Sequence, residues 1–122
     1  MKHFNSKVIR VILPFAAALV FLMGGCQSKP KQPTVVKVIA KKYEFVPNQI
    51  HVKAGETIQF EVSTPDVQHG FSVPDLKIDE SIQPGKPAIF THVFDQKGTY
   101  SIECSVICGP HHDDMRAALI VE

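Results

Sequence analysis

The sequence of 122 residues contains no tryptophan, only three cysteines and no marked excess of either charge. Thirteen basic residues against twelve acidic ones give a formal net charge of +1, which excludes a strongly basic nucleic-acid-binding protein. No segment keeps a 3.6-residue hydrophobic period, and nine prolines spread along the chain argue against a long helical bundle. Since 44% of the residues are hydrophobic and 20% charged, a disordered chain is also excluded, and the length allows one domain.

Long hydrophobic runs are scarce as well, and the clearest one lies near the N-terminus. Residues 11–23 form an apolar run of thirteen residues after a basic segment. This length suits a secretory signal and falls short of the roughly 17–25 residues of a spanning helix. The run ends in Met23-Gly24-Gly25-Cys26, which resembles the lipobox of bacterial lipoproteins, where the signal is cut before a cysteine that then carries lipid.

This resemblance predicts a division of the chain into three parts. We expect a lipoprotein-type signal peptide over residues 1–25, a lipidated Cys26 with a polar tether over 26–35, and one domain over 36–122. An uncleaved N-terminal membrane anchor is the alternative. Either interpretation holds the domain at the cell membrane of a bacterium, on the extracytoplasmic face. Residues 26–122 carry 10 basic and 12 acidic side chains, a net charge of −2.

The rest of the chain shows short β-strand patterns separated by turn signals. Residues 57–62 alternate apolar and polar side chains, and the segments VPN at 46–48 and QPG at 83–85 are typical of turns. Several short strands at this spacing predict a single all-β domain, an antiparallel sandwich or barrel. We expect strands over 35–40, 50–53, 57–62, 88–94, 99–103 and 117–121, and a core that includes Ile58, Phe60, Phe90, Phe94, Ile102 and Leu119.

Residues 104–115, with the sequence CSVICGPHHDDM, carry the strongest chemical signal. Thiolate, imidazole and thioether are soft ligands, and this set favours copper over magnesium or calcium. Structural zinc is less suitable, because it prefers four Cys or His ligands and makes no use of methionine. A blue-copper site needs one cysteine, two histidines and a weak axial methionine. Cys104 and Cys108 therefore supply one thiol more than a mononuclear copper site uses.

A second histidine must come from elsewhere in the chain, and His69 is the candidate. It follows a Pro-Asp turn and precedes Gly70, in a predicted loop after the strand that ends at Val62. Loops at one end of a sandwich converge, so His69 can reach residues 104–115 from 35 positions upstream.

These residues resemble the CuA-binding domain of cytochrome c oxidase subunit II, whose motif is Cys-x3-Cys-x3-His-x2-Met with an earlier histidine. The flanking segments STPDVQHGF at 63–71 and GTYSIEC at 98–104 resemble the ba-type branch of that family. The resemblance covers residues 37–121 and implies a Greek-key cupredoxin domain with two copper ions. It implies bridging thiolates and one capping histidine per copper, with a weak axial methionine and a backbone carbonyl group as further ligands; the corresponding residues are Cys104, Cys108, His69, His112, Met115 and Val106.

The resemblance also implies a function and partners. Electrons would pass from a c-type cytochrome, through the copper centre, to subunit I of a haem-copper oxidase, and the isolated chain would catalyse no reaction itself. The acidic pair Asp113 and Asp114 is either merely solvated or helps to dock a basic cytochrome. Many members of the family place a tryptophan where electrons enter, and this sequence has none.

Two other interpretations of the chain are open. The chain could be a free-standing, membrane-anchored cupredoxin that carries electrons or handles copper outside an oxidase. Cys104 and Cys108 could instead form a disulfide in a structural or ligand-binding lipoprotein without metal. Of the remaining histidines, His111 is expected to be a solvent-facing neighbour of the ligands, and His51 and His92 to lie at the surface or the edge of the core.

Overall fold

The computed structural model describes residues 29–122, so that the predicted signal peptide and Cys26 lie outside the described residues. This part of the chain contains nine β-strands, two short 3-10 helices (Pro74–Leu76 and His112–Asp114) and no α-helix. Within it, no helix is long and apolar enough to span a membrane. The strands are β1 (Thr34–Lys41), β2 (Glu44–Val46), β3 (Gln49–Val52), β4 (Thr57–Ser63), β5 (His69–Val73), β6 (Ile78–Ile82), β7 (Ala88–Val93), β8 (Gly98–Glu103) and β9 (Arg116–Val121).

The strands form two sheets that enclose one core. One sheet has the order β2-β1-β4-β7 and the other the order β3-β9-β8-β5-β6. The predicted all-β sandwich is therefore confirmed. The strand pairs β1–β4 and β3–β9 run parallel, whereas the sequence pattern predicted antiparallel strands throughout. Parallel pairing is possible here because neither pair is consecutive in the chain, and the intervening residues cross between the sheets.

The core is built from alternating side chains of both sheets and centres on phenylalanines. Ile58, Phe60 and Val62 of β4 are buried, while the residues between them are partly exposed. The ring of Phe60 lies 5.6 Å from that of Phe71 and 6.2 Å from that of Phe94, measured between centroids. Burial of each such side chain contributes about 1.5–3 kcal/mol. The six predicted core residues are all buried except Phe90, which is half-buried at the edge strand β7.

The sequence pattern missed β2, β5 and β6. Strand β2 has only three residues, and β6 contains two acidic side chains, which are uncommon in strands. All five residues of β5 are buried, so this strand has no alternation to detect. The missed strand β5 matters most, because His69 is its first residue and not part of a loop as predicted.

One end of the sandwich collects the chain segments that carry the predicted ligands. At this end β1, β4 and β8 finish, and β5 and β9 begin. His69 begins β5, Cys104 directly follows β8, and Met115 directly precedes β9. The fold therefore brings residues that are distant in sequence to one edge of two rigid sheets.

Candidate metal centre

The loop between β8 and β9 provides most of the predicted ligands. Its two ends are joined where the N–H of Cys104 donates to the carbonyl oxygen of Met115 (3.2 Å). Inside the loop, the N–H of His112 donates to the carbonyl oxygen of Gly109, and the N–H of Met115 to that of His112 (both 3.1 Å). These tight turns direct the side chains of Cys108, His112 and Met115 toward one another.

The two cysteines of this loop lie side by side as free thiols. Their Sγ atoms are 3.8 Å apart, and both residues are buried. A disulfide requires an S–S distance of about 2.05 Å. The disulfide alternative is therefore not what the structure shows within residues 29–122.

Each thiol has a histidine of its own. The Nδ1 atom of His69 lies 3.9 Å from Sγ of Cys104, and Nδ1 of His112 lies 3.9 Å from Sγ of Cys108. His69 is completely buried, whereas the side chain of His112 keeps 20% of its exposure. The two histidines thus approach the pair of thiols separately, one from the interior and one from the surface.

Two weaker donors complete the group. The Sδ atom of Met115, which is buried, lies 3.9 Å from Sγ of Cys108. The carbonyl oxygen of Val106 lies 3.1 Å from Sγ of Cys104. All six groups predicted as metal ligands are therefore brought together, with a different weak donor beside each thiol.

The distances fit ligands that share a metal ion. In zinc sites, metal–sulfur bonds are about 2.3 Å and metal–nitrogen bonds about 2.0–2.1 Å long, so that two ligands of one ion lie roughly 3.5–4 Å apart. The Sγ–Nδ1 and Sγ–Sδ distances of 3.9 Å fall in this range. His69, Cys104 and Cys108 also form a buried group whose ligand atoms all lie within 4.8 Å of one another. The soft donor set agrees with copper.

The thiol of Cys108 has a high proton affinity in the absence of a metal. Burial raises the pKa of Cys108 to about 11, and the neighbouring Cys104 acts in the same direction. Cys108 is therefore a protonated thiol at neutral pH. A metal ion that binds the sulfur of Cys108 must displace this proton, so metal affinity depends on pH.

A carboxylate supports the buried histidine from its other side. The Nε2 atom of His69 lies 2.7 Å from Oδ1 of Asp66. Burial alone would raise the pKa of Asp66. Hydrogen bonds from the backbone N–H groups of Lys42 and Val67, from His69 and from Thr64 outweigh this and hold the pKa well below its usual range. Asp66 is therefore a charged acceptor at neutral pH.

Strand β5 also supports the cysteine loop through Gly70. The N–H of Gly70 lies within hydrogen-bonding distance of Sγ of Cys104 (3.5 Å). A Cβ atom on Gly70 would overlap Ser105, with only 2.7 Å to its backbone nitrogen. The hydroxyl of Ser105 in turn donates to Oδ1 of Asp79 on β6 (2.6 Å). The backbone that leads from Cys104 to Val106 is therefore held against β5 and β6.

The opposite side of the loop packs on the turn between β1 and β2. Gly109 has a φ of 142°, and a Cβ atom there would overlap the phenol of Tyr43. The ring of Tyr43 makes an edge contact with the ring of His111, with centroids 5.2 Å apart. His111 is exposed beside the ligands, as expected.

The surface above the centre is partly apolar and partly acidic. Ile107, between the two cysteines, is 85% exposed. Asp113 and Asp114 are exposed in the 3-10 helix that begins at His112. Arg116, which directly follows Met115, donates to Glu103 (2.7 Å) and is engaged in an ion pair.

The other histidines lie away from this group. His51 forms an ion-pair contact with Glu122 at the opposite end of the sandwich, and His92 is half-buried against the ring of Phe94. Both agree with the expected surface or core-edge positions.

Three residues that support the site were missed from the sequence, namely Asp66, Gly70 and Ser105. Only Asp66 left a signal, as a carboxylate three positions before the predicted ligand His69.

Comparison with known proteins agrees with the architecture and the site. The two-sheet sandwich, with a buried His and Cys group at one end, defines a cupredoxin-type metal protein. Residues 14–121 match the cupredoxin-like domain family. The periplasmic domain of subunit II of cytochrome oxidase from Bradyrhizobium japonicum has a similar fold, with a TM-score of 0.69 at 21% identity over 76% of this chain and 86% of that one.

Relatives in sequence assign the chain to one family among the cupredoxin-like proteins. A cytochrome c oxidase subunit 2 of Thermus thermophilus is 35% identical over 96 residues, which are 79% of this chain and 70% of that protein. A second cytochrome c oxidase subunit 2 of the same species is 35% identical over 79% of this chain and 56% of its own length. The chain therefore belongs to the cupredoxin-like proteins and, among them, to the cytochrome c oxidase subunit 2 family. The family expected from the sequence motif is confirmed.

Proposed function

We propose that this chain transfers electrons through a binuclear copper centre of the CuA type. The observation that carries the proposal is the pair of unbridged thiols 3.8 Å apart, each with its own histidine Nδ1 atom at 3.9 Å. A mononuclear site would use one thiol as a ligand and leave the second thiol, which is also buried, without a metal ion. Two thiols between two histidines can instead serve two metal ions.

Each side chain has a role in this proposal. Cys104 and Cys108 would bridge the ions as thiolates and offset their charge, while His69 and His112 would each bind one ion. Met115 and the carbonyl oxygen of Val106 would be the weak ligands. When bound, the copper pair supplies a site that gains and loses one electron.

The protein contributes rigidity. Residues on the ends of packed strands hold their geometry better than residues on free loops. His69 lies in β5, Cys104 and Met115 flank β8 and β9, and the connecting backbone is held by Gly70 and Ser105. A centre held in this way changes little between its oxidised and reduced forms, which supports fast electron transfer.

The partners in this proposal are a c-type cytochrome as donor and subunit I of a haem-copper oxidase as acceptor. Ile107 is an exposed apolar side chain in the same loop as the exposed carboxylates of Asp113 and Asp114. Such a surface suits a donor whose exposed cofactor edge is ringed by lysines. Purification of tagged chain from the native membrane should bring subunit I with it. Isolation without an oxidase subunit would favour the free-standing carrier.

We further propose that Cys26 carries lipid and holds the domain at the extracytoplasmic face of the cell membrane. The support is the apolar run at 11–23 that ends in a small-residue segment before Cys26. Mass spectrometry of the purified chain should find a new N-terminus at Cys26 with added acyl groups. Cys26→Ser should abolish the modification, and an uncleaved Met1 terminus in the native protein would contradict the proposal.

Copper content with optical and EPR spectra tests the central proposal. The full chain, solubilised in detergent and reconstituted with copper, should bind two ions and show a spectrum in which one unpaired electron is shared by two nuclei. One copper with the spectrum of a blue-copper site would overturn it. A metal-free, unreactive chain would favour the structural lipoprotein.

A further inference from the structure

His69 is held by contacts to both nitrogen atoms of its ring. Nδ1 faces Sγ of Cys104 at 3.9 Å, and Nε2 lies 2.7 Å from Oδ1 of Asp66. The side chain is completely buried, so that water cannot replace either partner. A neutral histidine carries a single ring proton, and the position of this proton decides which nitrogen can bind a metal.

Asp66 is itself fixed by the surrounding backbone. Its Oδ2 atom accepts from the N–H of Lys42 (2.8 Å), and Oδ1 accepts from the N–H of Val67 (2.6 Å) and the hydroxyl of Thr64 (3.0 Å). The two backbone N–H groups, one on each oxygen, are enough to leave the carboxylate one orientation, with Oδ1 toward His69. Both carboxylate oxygens already accept from backbone N–H groups, so the proton between Asp66 and His69 belongs to Nε2.

We propose that Asp66 is a positioning residue, which holds His69 in the Nε2–H tautomer with the free Nδ1 electron pair directed at Cys104. The proposal rests on the metal-binding role of His69 proposed above. Its first part, the tautomer of the metal-free protein, can be tested without any metal. Metal-binding histidines commonly donate their other N–H to such a partner, which also makes the ring a stronger donor.

The second histidine is not restrained in this way. Nε2 of His112 lies 4.0 Å from Oδ1 of Asp113, beyond hydrogen-bonding distance, and the side chain of Asp113 is 99% exposed. The chain therefore combines a ligand that is oriented before the metal arrives with one that can still adjust.

The tautomer can be read by NMR. In the metal-free full chain, labelled with ¹⁵N on histidine, the ring nitrogen shifts of His69 should be those of the Nε2–H form at neutral pH. Asp66→Ala should leave a mixture of both forms. Asp66→Asn can turn its NH2 group toward Nε2 and should favour the Nδ1–H form. Detection of the Nδ1–H form in the unmodified protein would overturn the proposal.

Copper affinity provides the second measurement. Loss of a hydrogen-bond partner behind a ligand typically reduces metal affinity about 10–100-fold, and we expect this for Asp66→Ala in competition titrations with a copper chelator. Glu122→Gln is the matched control, because it removes the carboxylate partner of His51 (2.9 Å) at the far end of β9. This variant should bind copper like the unmodified chain.

A third variant distinguishes an effect on the orientation of His69 from a loss of stability in the loop that carries Asp66. Thr64→Val deletes the hydroxyl that donates to Asp66 but leaves the contact between Asp66 and His69 in place. It should lower the unfolding midpoint while the His69 tautomer and copper affinity stay unchanged. If Thr64→Val shifts the tautomer as much as Asp66→Ala, or if folded Asp66→Ala binds copper normally, the proposal fails. Normal copper binding by His69→Ala would instead refute the proposed metal site.

Discussion

Gly70 of β5 and Ser105 of the loop between β8 and β9 lie so close together that a side chain on Gly70 has no room. A Cβ atom at Gly70 would come within 2.7 Å of the backbone nitrogen of Ser105 and overlap its hydroxyl. The same glycine directs its N–H at Sγ of Cys104 (3.5 Å). The contact therefore sets the distance between the loop that carries Cys104 and strand β5, which carries His69.

Gly70→Ala should consequently displace this loop. Overpacking of this kind costs about 1–3 kcal/mol, and we expect a loss of that size in the free energy of urea unfolding of the metal-free chain. Copper affinity should fall as well, because the thiols move away from His69. The double variant Gly70→Ala with Ser105→Gly should recover part of both losses, since it removes the overlapping side chain. Unchanged stability and affinity in the single variant would show that the loop tolerates the shift.

Cys108→Ser tests the requirement for two thiols. Cys108 contacts three other predicted ligands, namely Cys104, His112 and Met115. Its replacement by a harder oxygen donor should reduce copper from two ions to at most one and remove the spectrum of the shared electron. Cys26→Ser, which changes a cysteine outside the predicted domain, is the control and should retain both ions. Two coppers in Cys108→Ser would contradict the bridging role.

The ligands in the loop between β8 and β9 could be predicted from the sequence, but the residues that hold this loop in place could not. Cys104, Cys108, His112 and Met115 lie within one hairpin loop, so their spacing alone defines the donor set. Gly70 and Ser105 are 35 residues apart and meet only because β5 lies beside β8. The parallel pair β1–β4 was missed for a related reason. Side-chain alternation shows which face of a strand is buried and contains no information about the direction of its neighbour.

Asp113→Asn combined with Asp114→Asn tests the proposed donor surface. Removing two exposed carboxylates beside His112 should slow electron transfer from a basic c-type cytochrome severalfold and weaken its dependence on salt. The copper spectrum should not change, because neither carboxylate is among the proposed ligands. Asp75→Asn is a suitable control, since Asp75 lies beyond the other end of β5. An unchanged rate and salt dependence would mean that the acidic pair is merely solvated.

Because of Asp66, the free energy of unfolding of the metal-free chain should decrease at acidic pH. Its pKa in the folded state lies below the ordinary value of 3.8, because four hydrogen bonds outweigh its burial. A carboxylate of this kind binds protons more readily in the unfolded chain, so it stabilises the fold fully above the ordinary pKa. This contribution is lost as the pH falls below 3.8 toward the folded-state pKa. Urea midpoints at pH 6 and pH 3 should therefore differ less in Asp66→Asn than in the unmodified chain. Asp113→Asn, at an exposed position, should keep the original difference, and an equal difference in all three proteins would contradict the assigned hydrogen bonds.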